Sequence, residues 1–538
     1  MKGFLSKINP KLYILISGIL LGVSIAFAKI GAISYLALIP LCLVMLKRID
    51  SVEYKFKQAY FDGFVFFFSY YLIAFHWLLY FYPLDFTGLN RFEAAIVVAL
   101  AWVGIPLIQA AFSSLIFVVI AHFSKTRIYK KHPLCLVIFA AALFVINEWS
   151  QTFTWAGVPF ARISISQTEM PILMQSASVF GGYFLTFIVV AINILLSLAI
   201  YKLQFRRLFC ILASALFTCN LAFGLVLYFI PLHNENDQIK VAALQGNLPS
   251  QEDYGFFLDG VFETYEALII EAAQDGARLI VLPEGAFLAD VNGYIDLGKD
   301  RGLTSLNKAM TSLADELDVS IVVGSLFIDE NENYYNATSI FYPDGTSILG
   351  ASFKEKLVPF GEFVPMRSII ETFVPMLSMV NSMPDDLTSF SEQKVFSSYH
   401  NNINIGSLIC YDSIFEGVAR DSAIAGAEIF IVPSDDSWFY NSRALNMHHS
   451  QNILRAVEQG RYTISCANTG LTSIVNNKGE IIEQMPIFTK GYVVGMVYAT
   501  SNRTIYSYIG NLFVYVCILA IALPFGSEFI LDKKEEFK

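Results

Sequence analysis

Three side chains in the middle of the chain, Glu284, Lys354 and Cys410, have types suited to acyl-transfer chemistry. Cys410 follows residues 403–409, where an alternation of apolar and polar residues turns apolar and predicts a strand entering a buried sheet. A turn and a helix-like segment, residues 414–425, come next. Because α/β folds commonly present a nucleophile at such a strand end, the pattern favours a nucleophilic Cys410. A lone cysteine is otherwise most often a small buried apolar residue.

Glu284 and Lys354 fit the other two requirements of acyl transfer. A thiol needs a base to become a thiolate, and a carboxylate of raised pKa can serve. The carbonyl oxygen under attack becomes an oxyanion, which an ammonium group can stabilise. Each residue also has a simpler explanation, because Glu284 after Pro283 could be a helix N-cap partner and Lys354 a solvated surface charge.

The apolar residues are concentrated in the two ends of the chain. Of the 538 residues 55% are hydrophobic, and the mean hydropathy of +0.53 is too high for an ordinary soluble protein. The long apolar runs lie before residue 232 and after residue 504. Since about 20 apolar residues cross a bilayer, we expect eight transmembrane helices. They are residues 13–28, 33–46, 59–82, 94–123, 134–149, 171–203, 208–231 and 505–531.

The basic residues between these runs predict their orientation. Alternate loops are rich in lysine and arginine, whereas the loops between them offer only Lys29, Arg91 and Arg162. By the positive-inside rule the rich loops are cytoplasmic. We therefore predict seven transmembrane helices in residues 1–232, an extracytoplasmic domain in residues 233–504, and an eighth helix with a cytoplasmic tail in residues 505–538. We therefore expect a multi-pass protein of the cytoplasmic membrane with its polar domain on the outer, or periplasmic, face.

Composition argues against several other classes of protein. The net charge is -10 and no basic stripe with interleaved aromatic residues occurs, so nucleic acid is not an expected partner. Seven cysteines are present without CxxC or Cys/His ligand spacing, which indicates neither a zinc site nor a disulfide framework. We expect no cofactor, and we interpret Cys466 as structural.

The polar region alternates strands with helices, which predicts an α/β layered domain. Residues 366–396 predict either a mobile lid or a loosely packed insertion. In the membrane region, Glu148 either faces headgroup water or belongs to a lipid-facing entrance. The predicted helices are residues 261–273 and 305–317, and the predicted strands are residues 239–244, 278–282, 320–327, 337–342, 403–409, 428–432, 462–467 and, closing the pattern, 472–475.

Several short runs resemble one enzyme superfamily. Leu-Pro-Glu ending at Glu284, Lys354, and Ile-Cys-Tyr around Cys410 are similar to the Glu-Lys-Cys triad of the nitrilase superfamily. The run Leu-Val-Pro-Phe-Gly-Glu-Phe-Val-Pro at 357–365, with the predicted membrane spans, resembles the bacterial apolipoprotein N-acyltransferases. The resemblance extends over nearly the whole chain. It includes residues 245–247, 434–439, 455–461 and 467–470.

The resemblance implies a polytopic α-helical membrane domain with an extracytoplasmic nitrilase-like α-β-β-α sandwich. It implies that Glu284 is the general base, Lys354 the oxyanion stabiliser and Cys410 the nucleophile. Further site positions that it implies are Glu362 as a supporting carboxylate, Tyr411 and Trp438. Two positions depart from the family pattern: Asp412, where the family usually has glutamate, and Tyr254, where a tryptophan contributes to the lipid or lid contact.

The implied reaction moves an acyl chain from a membrane phospholipid, through a thioester on Cys410, to the α-amine of a diacylglyceryl-cysteine apolipoprotein. The protein is expected to be a monomer with lipid and lipoprotein partners. One alternative is a membrane-anchored amidase or nitrilase-type hydrolase that acts on a soluble C–N bond. Another is a catalytically silent lipid-binding protein, with Asp412 and Tyr254 as signs of drift.

Overall fold

The structure is a computed structural model that describes residues 9–51, 54–231, 237–248, 258–290, 293–296, 303–380, 386–392 and 395–536. The chain divides into two compact units. The helical unit comprises residues 1–79, 99–230 and 509–538, and the α/β unit comprises residues 80–98 and 231–508. Each unit has its own buried core.

Every one of the eight predicted apolar runs is helical. In the described part of the chain, five helices are long and apolar enough to cross a membrane: Ala28–Ile49, Arg91–Phe123, Gly182–Tyr201, Leu203–Phe229 and Leu512–Leu531. The three remaining runs correspond to the helices Pro10–Ala26, Phe56–Ala74 and Cys135–Ser150. The run 171–203 is not one helix, because Gly181 with φ 79° separates the shorter helical stretch Pro171–Phe180 from Gly182–Tyr201. The count of eight transmembrane helices therefore stays a prediction.

Close helix packing in the helical unit depends on small residues. Helix Pro10–Ala26 packs along Phe56–Ala74, and Gly18 and Gly22 lie so near the partner helix that a Cβ at either position would overlap Phe66, Ser69 or Ile73 atoms. Small residues allow the backbones to approach in this way, which maximises van der Waals contact where lipid offers no hydrophobic drive. Large apolar side chains such as Phe112 and Phe229 remain over two-thirds exposed, as expected of surfaces that meet acyl chains.

Glu148 does not face headgroup water. It is buried near the end of Cys135–Ser150, where Oε1 accepts a hydrogen bond from the Ile163 amide at 2.8 Å and Oε2 accepts one from Thr186 Oγ1 at 2.7 Å. The carboxyl group therefore joins a loop to helix Gly182–Tyr201, since a buried polar group must find partners within the protein. Of the two alternatives, the one with headgroup water was wrong, and the lipid-facing entrance stays a prediction. The contacts themselves could not be predicted, because nothing in the sequence marks Ile163 or Thr186 as neighbours of Glu148.

The α/β unit contains fifteen short strands among its described residues. The strands are β1 (Gln238–Gln245), β2 (Leu279–Val281), β3 (Phe287–Asp290), β4 (Tyr294–Asp296), β5 (Leu303–Ser305), β6 (Ser320–Ile328), β7 (Tyr334–Phe341), β8 (Ser347–Phe353), β9 (Val395–Ser397), β10 (Asn404–Ser407), β11 (Ile429–Ser434), β12 (Tyr462–Ala467), β13 (Ser473–Val475), β14 (Ile481–Gln484) and β15 (Gly491–Tyr498).

Two sheets form the centre of this unit. The first has the order β15-β1-β2-β6-β7-β8 with β3 beside β6, and the second has the order β14-β13-β12-β11-β10-β9. Alternate residues of β1 point to opposite faces. Ile239, Val241 and Ala243 join a core shared with the second sheet, whereas Ala242 and Leu244 pack towards helices on the outer face. These layers form the predicted nitrilase-like α-β-β-α sandwich.

Helices cover the outer face of each sheet. Leu258–Gln274 and Leu306–Leu317 pack on the first sheet, where their apolar residues share a buried core with β1, β2 and β6. Glu416–Ile424 and Ala444–Gln459 pack against the second sheet, at β10 and β12 respectively. Ala444–Gln459 is buried at every position except Asn446, which is exposed.

The strand pattern differs from the sequence prediction at its end. Residues 472–475 do not close it, because β14 and β15 follow, and β15 pairs antiparallel with β1 from Gln238↔Tyr498 to Gln245↔Gly491. Strands β3, β4, β5, β8 and β9 were also missed. The exposed residues of β14 carry no buried face to read, and β15 finds its partner about 250 residues away along the chain, beyond the reach of local patterns.

The 366–396 segment contains helix Arg367–Phe373, the 3₁₀ helix Pro375–Val380 and part of β9. Residues 381–385 and 393–394 lie outside the described residues. A small apolar cluster holds the 3₁₀ helix against residues 80–98, so this part of the segment is packed. Its members are Phe81, Leu84, Leu89, Ala94, Val97, Val98, Met376, Leu377 and Val380. Whether the segment moves stays a prediction.

Ile431→Ala tests the shared core of the two sheets. Ile431 lies in β11 and is fully buried between the sheets, so removing its side-chain atoms leaves a cavity. We expect the α/β unit to lose about 2–5 kcal/mol of stability, measured by thermal unfolding in detergent. Ile481→Ala is the control, because Ile481 on β14 is 42% exposed and its loss should change stability by less than about 0.5 kcal/mol. Equal losses for the two variants would contradict the assignment.

Candidate active site

Strand ends of both sheets bring the candidate catalytic residues into the same region. Glu284 follows β2 by three residues and Lys354 follows β8 directly, both in the first sheet. Cys410 lies three residues after β10 of the second sheet. The two sheets face each other, so strand ends that are far apart in sequence meet at one end of the sandwich.

Cys410 occupies a sharp turn between β10 and the 3₁₀ helix Cys410–Ile414. Its backbone has φ 49°, a left-handed conformation that an L-residue other than glycine adopts at a cost of about 1–2 kcal/mol. A nucleophile at such a strand-to-helix turn projects away from the sheet. The surrounding contacts must therefore hold the turn, and a candidate nucleophile is where strain of this kind is commonly found.

Lys354 is the centre of a buried ionic cluster. Its Nζ is 2.8 Å from Glu284 Oε1 and 2.9 Å from Glu362 Oε1, and its side chain is only 2% exposed. Asn336 Nδ2 donates to the same two oxygens, at 2.6 Å and 2.9 Å. The outer oxygens accept backbone hydrogen bonds, Glu284 Oε2 from the Asp435 amide and Glu362 Oε2 from the Val358 amide, both at 2.8 Å.

The electrostatics of the cluster favour an ion pair beside a neutral thiol. Burial disfavours the charged form of Lys354, but the Glu284 and Glu362 carboxylates outweigh this effect and hold the pKa of the ammonium well above its usual range. Burial also opposes ionisation of Glu284, whereas Lys354 lowers the pKa of that carboxyl group below its ordinary value. Burial, followed by the charge of Glu284, raises the pKa of the Cys410 thiol, and Lys354 acts on it in the opposite direction.

Asp412 joins the cysteine turn to the lysine segment. Its Oδ1 accepts hydrogen bonds from the Lys356 amide at 2.7 Å and the Glu355 amide at 3.1 Å, and its Oδ2 accepts one from the Ile409 amide at 3.3 Å. Asp412 is fully buried. Its carboxylate therefore fixes the residues after Lys354 against the turn that carries Cys410.

The other predicted site residues lie in different environments, and one of them falls outside the described residues. Tyr411 is partly buried beside Phe415, with ring centroids 5.2 Å apart, and Trp438 is partly buried in the 3₁₀ helix Asp436–Phe439. Tyr254 lies outside the described residues. Cys466 is buried in the core between the sheets with its Sγ 3.1 Å from two backbone carbonyl oxygens, as expected of a structural residue.

Sequence reasoning missed two contributors to the site. Asn336 carries no local signal, because it lies within an ordinary alternating strand, β7. The Asp435 amide contributes through its backbone, which residue type does not reveal. Only the pairing of β7 with β8 and the approach of the second sheet place these groups at Glu284.

Comparisons with known proteins agree with this architecture. The family model described as Carbon-nitrogen hydrolase matches residues 240–506, and the model described as Apolipoprotein N-acyltransferase N-terminal domain matches residues 17–195. A protein named Apolipoprotein N-acyltransferase from Geobacter metallireducens is 27% identical over 94% of this chain and 93% of its own length. Proteins of the same name are 27% identical in Thermotoga maritima, covering 97% and 94%, and 29% identical in Rhizobium leguminosarum, covering 81% and 79%.

The α/β unit thus places the chain among the carbon–nitrogen hydrolases, the superfamily with the nitrilase-like sandwich. The match of the helical part to the second model, and the relatives that align over most of both chains, carry the assignment further. The chain belongs to the apolipoprotein N-acyltransferase family. It is a membrane protein with a nitrilase-like α/β domain in its C-terminal half.

Asn336→Asp tests the balance of charge around Lys354. The variant places a third carboxylate beside Glu284 and Glu362 with one ammonium to balance them, so we expect the pKa of the Cys410 thiol, already raised by burial and by Glu284, to rise further. Alkylation of Cys410 by iodoacetamide, mapped by mass spectrometry, should slow at least about tenfold at pH 7 and recover at higher pH. Asn333→Asp is the control, since its side chain contacts Asp329 rather than the site. An unchanged pH profile in Asn336→Asp would contradict the arrangement.

Asp412→Asn tests the buried carboxyl group under Cys410. Burial raises the pKa of Asp412 from 3.8 to about 7, although the amides of Lys356 and Glu355 act in the opposite direction. A raised pKa means that the stability from this group is fully present below pH 3.8 and is lost as pH rises through about 7. Stability should therefore fall more steeply between those pH values in the wild type than in Asp412→Asn, by up to about 4 kcal/mol.

Thermal unfolding in detergent at several pH values measures this difference. Asp344→Asn provides a control of opposite sign, because hydrogen bonds from Thr346 lower the pKa of that exposed carboxyl group. Its stabilising contribution is lost as pH falls, not as pH rises. Parallel pH dependences for the wild type and Asp412→Asn would refute the prediction.

Proposed function

We propose that this protein transfers an acyl chain from a membrane phospholipid to the N-terminal amine of a diacylglyceryl-cysteine apolipoprotein. The observation that carries the proposal is the buried ammonium of Lys354, held between two carboxylates beside the strained Cys410 turn, in a chain of this family. Glu284 acts as general base, Lys354 stabilises the oxyanion and Cys410 is the nucleophile. Glu362 and Asn336 hold the ammonium in place.

The first half-reaction acylates the cysteine. As the Cys410 sulfur attacks the carbonyl carbon of the phospholipid ester, Glu284 accepts the thiol proton, which is required because the thiol is neutral at rest. The carbonyl oxygen gains negative charge beside the Lys354 ammonium. The ester C–O bond then breaks, and the leaving oxygen takes the proton from Glu284. A lysophospholipid departs and a thioester remains on Cys410.

The second half-reaction transfers the chain to the lipoprotein. The neutral α-amine of the diacylglyceryl-cysteine attacks the thioester carbonyl carbon, and its proton passes to Glu284. The C–S bond breaks, an amide forms, and the thiolate of Cys410 recovers a proton from Glu284. Ping-pong order suits one nucleophile that two lipid substrates visit in turn.

The helical unit supplies a physical reason for this choice of substrates. Both substrates keep their acyl chains in the bilayer, and extraction into water would cost about 0.8 kcal/mol per CH₂ group. The bias of lysine and arginine residues supports a location of the α/β unit outside the cytoplasm, in the cytoplasmic membrane of the cell. We propose that the chain crosses this membrane with eight transmembrane helices and acts there as a monomer.

Intact-mass analysis after incubation with dioleoyl phosphatidylethanolamine in detergent micelles tests the first half-reaction. We expect a mass increase of one oleoyl group that hydroxylamine removes and that maps to the Cys410 peptide. Cys410→Ala should lose the adduct completely, because no other residue replaces the sulfur. Cys219→Ala is the matched control, since Cys219 is an exposed cysteine of the helical unit and should leave the adduct unchanged.

A diacylglyceryl-cysteine peptide tests the second half-reaction. Added to the acylated protein, it should remove the oleoyl group from Cys410 and gain the same mass on its α-amine. Release of free fatty acid without peptide acylation would identify a hydrolase instead. An adduct that persists in Cys410→Ala would overturn the assignment of the nucleophile.

A further inference from the structure

We propose that Asp436 and His448 form a positioning pair that holds the peptide carbonyl of Cys410 and thereby fixes the strained turn of the nucleophile. The proposal rests on the proposed function only in taking Cys410 as the reacting thiol. Neither residue touches a reacting atom of the proposed reaction. Their positioning effect is transmitted through the backbone of Cys410, and the charge of Asp436 in addition adds to the effects of burial and of Glu284, which raise the pKa of the Cys410 thiol.

The contacts run in one line from a carboxylate to the turn. His448 Nδ1 lies 3.0 Å from Asp436 Oδ1, and His448 Nε2 lies 3.1 Å from the Cys410 carbonyl oxygen. Ser413 Oγ donates to the same carbonyl at 2.9 Å and is also 3.1 Å from His448 Nε2. All of the side chains in this line are at least nine-tenths buried.

This line supports the turn where it is strained. Cys410 has φ 49°, so its peptide would relax towards ordinary values unless its carbonyl were held. Donors from Ser413 and His448 hold it from two sides. A shift of about 1 Å in the sulfur would be enough to reduce the rate by about 100-fold, because attack on the ester carbon needs an aligned approach.

The fold brings the two members of the pair together from separate elements. His448 lies on helix Ala444–Gln459, and Asp436 lies in the 3₁₀ helix Asp436–Phe439 that follows β11. Gly470 approaches the Asp436 side chain so closely that a Cβ at position 470 would overlap its carboxylate. The missing side chain at Gly470, in the run 467–470, therefore leaves the space that the Asp436 carboxylate occupies.

The protonation state of His448 decides how well the carbonyl is held. A doubly protonated imidazole donates from Nδ1 to Asp436 and from Nε2 to Cys410 at the same time. When the ring is neutral and its one N–H proton stays on Nδ1, where it donates to Asp436, Nε2 carries a lone pair. That lone pair repels the Cys410 carbonyl oxygen and attracts the Ser413 hydroxyl proton, so both donors to the carbonyl are lost together.

The charged groups around His448 favour the doubly protonated ring. Burial alone would lower the pKa of His448, but the Asp436 carboxylate, the Cys410 carbonyl and the Glu284 charge outweigh it and raise that pKa above 6.5. The neighbouring His449 is driven neutral, since burial lowers its pKa to about 4. A raised histidine pKa means that the stabilising contacts are complete below pH 6.5 and are lost as pH rises through the folded-state value.

His448→Gln separates positioning from simple structural support. A glutamine amide can donate to the Cys410 carbonyl but cannot bridge to Asp436 at the same time as the imidazolium does, so it holds the carbonyl more weakly and does not titrate. We expect alkylation of Cys410 by iodoacetamide to be about 10- to 100-fold slower than in the wild type at pH 6. The ratio of wild-type to variant rates should shrink towards one as pH rises to 9, because ionisation of the thiol is common to both proteins.

Asp436→Asn provides a second variant with the same side-chain volume. The asparagine oxygen still accepts from Nδ1, but the lost charge lowers the pKa of His448. The ratio of the Asp436→Asn alkylation rate to the His448→Gln rate should therefore begin to fall at a lower pH than the ratio of the wild-type rate to the His448→Gln rate. His449→Gln is the matched control, because His449 is an equally buried neighbour that contacts Ser473 and not Cys410. It should retain wild-type rates at every pH.

Alkylation by iodoacetamide and acylation by phospholipid together distinguish a failure of the positioning pair from a failure of the proposed function. A wild-type rate in His448→Gln, or a reduction that is equal at every pH, would overturn the proposal, because a merely structural residue has no reason to produce a pH-dependent ratio. An Asp436→Asn variant whose alkylation rate has the same pH dependence as that of the wild type would also overturn the proposal. Alkylation needs no lipid, so a failure of phospholipid acylation with the expected alkylation profile would reject the proposed function and leave the positioning pair standing.

Discussion

An ammonium group that is 2% exposed must be balanced by negative charge, and most of the α/β unit is arranged to satisfy this requirement at Lys354. An uncompensated buried charge would cost several kcal/mol. Two carboxylates supply the balance, Asn336 donates to the same oxygens as the ammonium, and backbone amides bind the remaining carboxylate oxygens. These partners come from both sheets and from the loop after β8. The ionic cluster consequently depends on the correct pairing of the whole sandwich.

The same constraint explains why the thiol is neutral at rest. Burial and the charge of Glu284 raise the pKa of the Cys410 thiol, and Lys354, which already pairs with Glu284 and Glu362, offsets these effects only in part. A resting enzyme with a protonated nucleophile is protected from oxidation and from stray acylation. In the proposed mechanism, proton transfer to Glu284 therefore belongs to the attack itself, and the positive charge of Lys354 acts where the oxyanion develops.

Two separate sets of hydrogen bonds hold the turn of Cys410, the proposed nucleophile, beside this cluster. Asp412 fixes the start of the turn to the segment that follows Lys354, and the Asp436–His448 pair holds the peptide that leaves Cys410. One carboxyl group is buried with a raised pKa, while the other pairs with a histidine, so the two sets respond differently to pH. A nucleophile on a strained turn needs support on both sides, because either half of the turn can relax independently.

The sequence by itself determined the two-part organisation, the positions of the helical runs, most central strands and the three residues with catalytic potential. Hydrophobic run length and two-residue periodicity are local properties, and the residue types around Glu284, Lys354 and Cys410 state their chemistry directly. Tertiary structure decided the rest. The pairing of β15 with β1, the position of Asn336 between two carboxylates and the link from Asp436 through His448 to Cys410 all join residues that are distant in the chain. The burial of Glu148 is of the same kind, because local pattern specifies which face of an element is apolar but not which distant group will contact it.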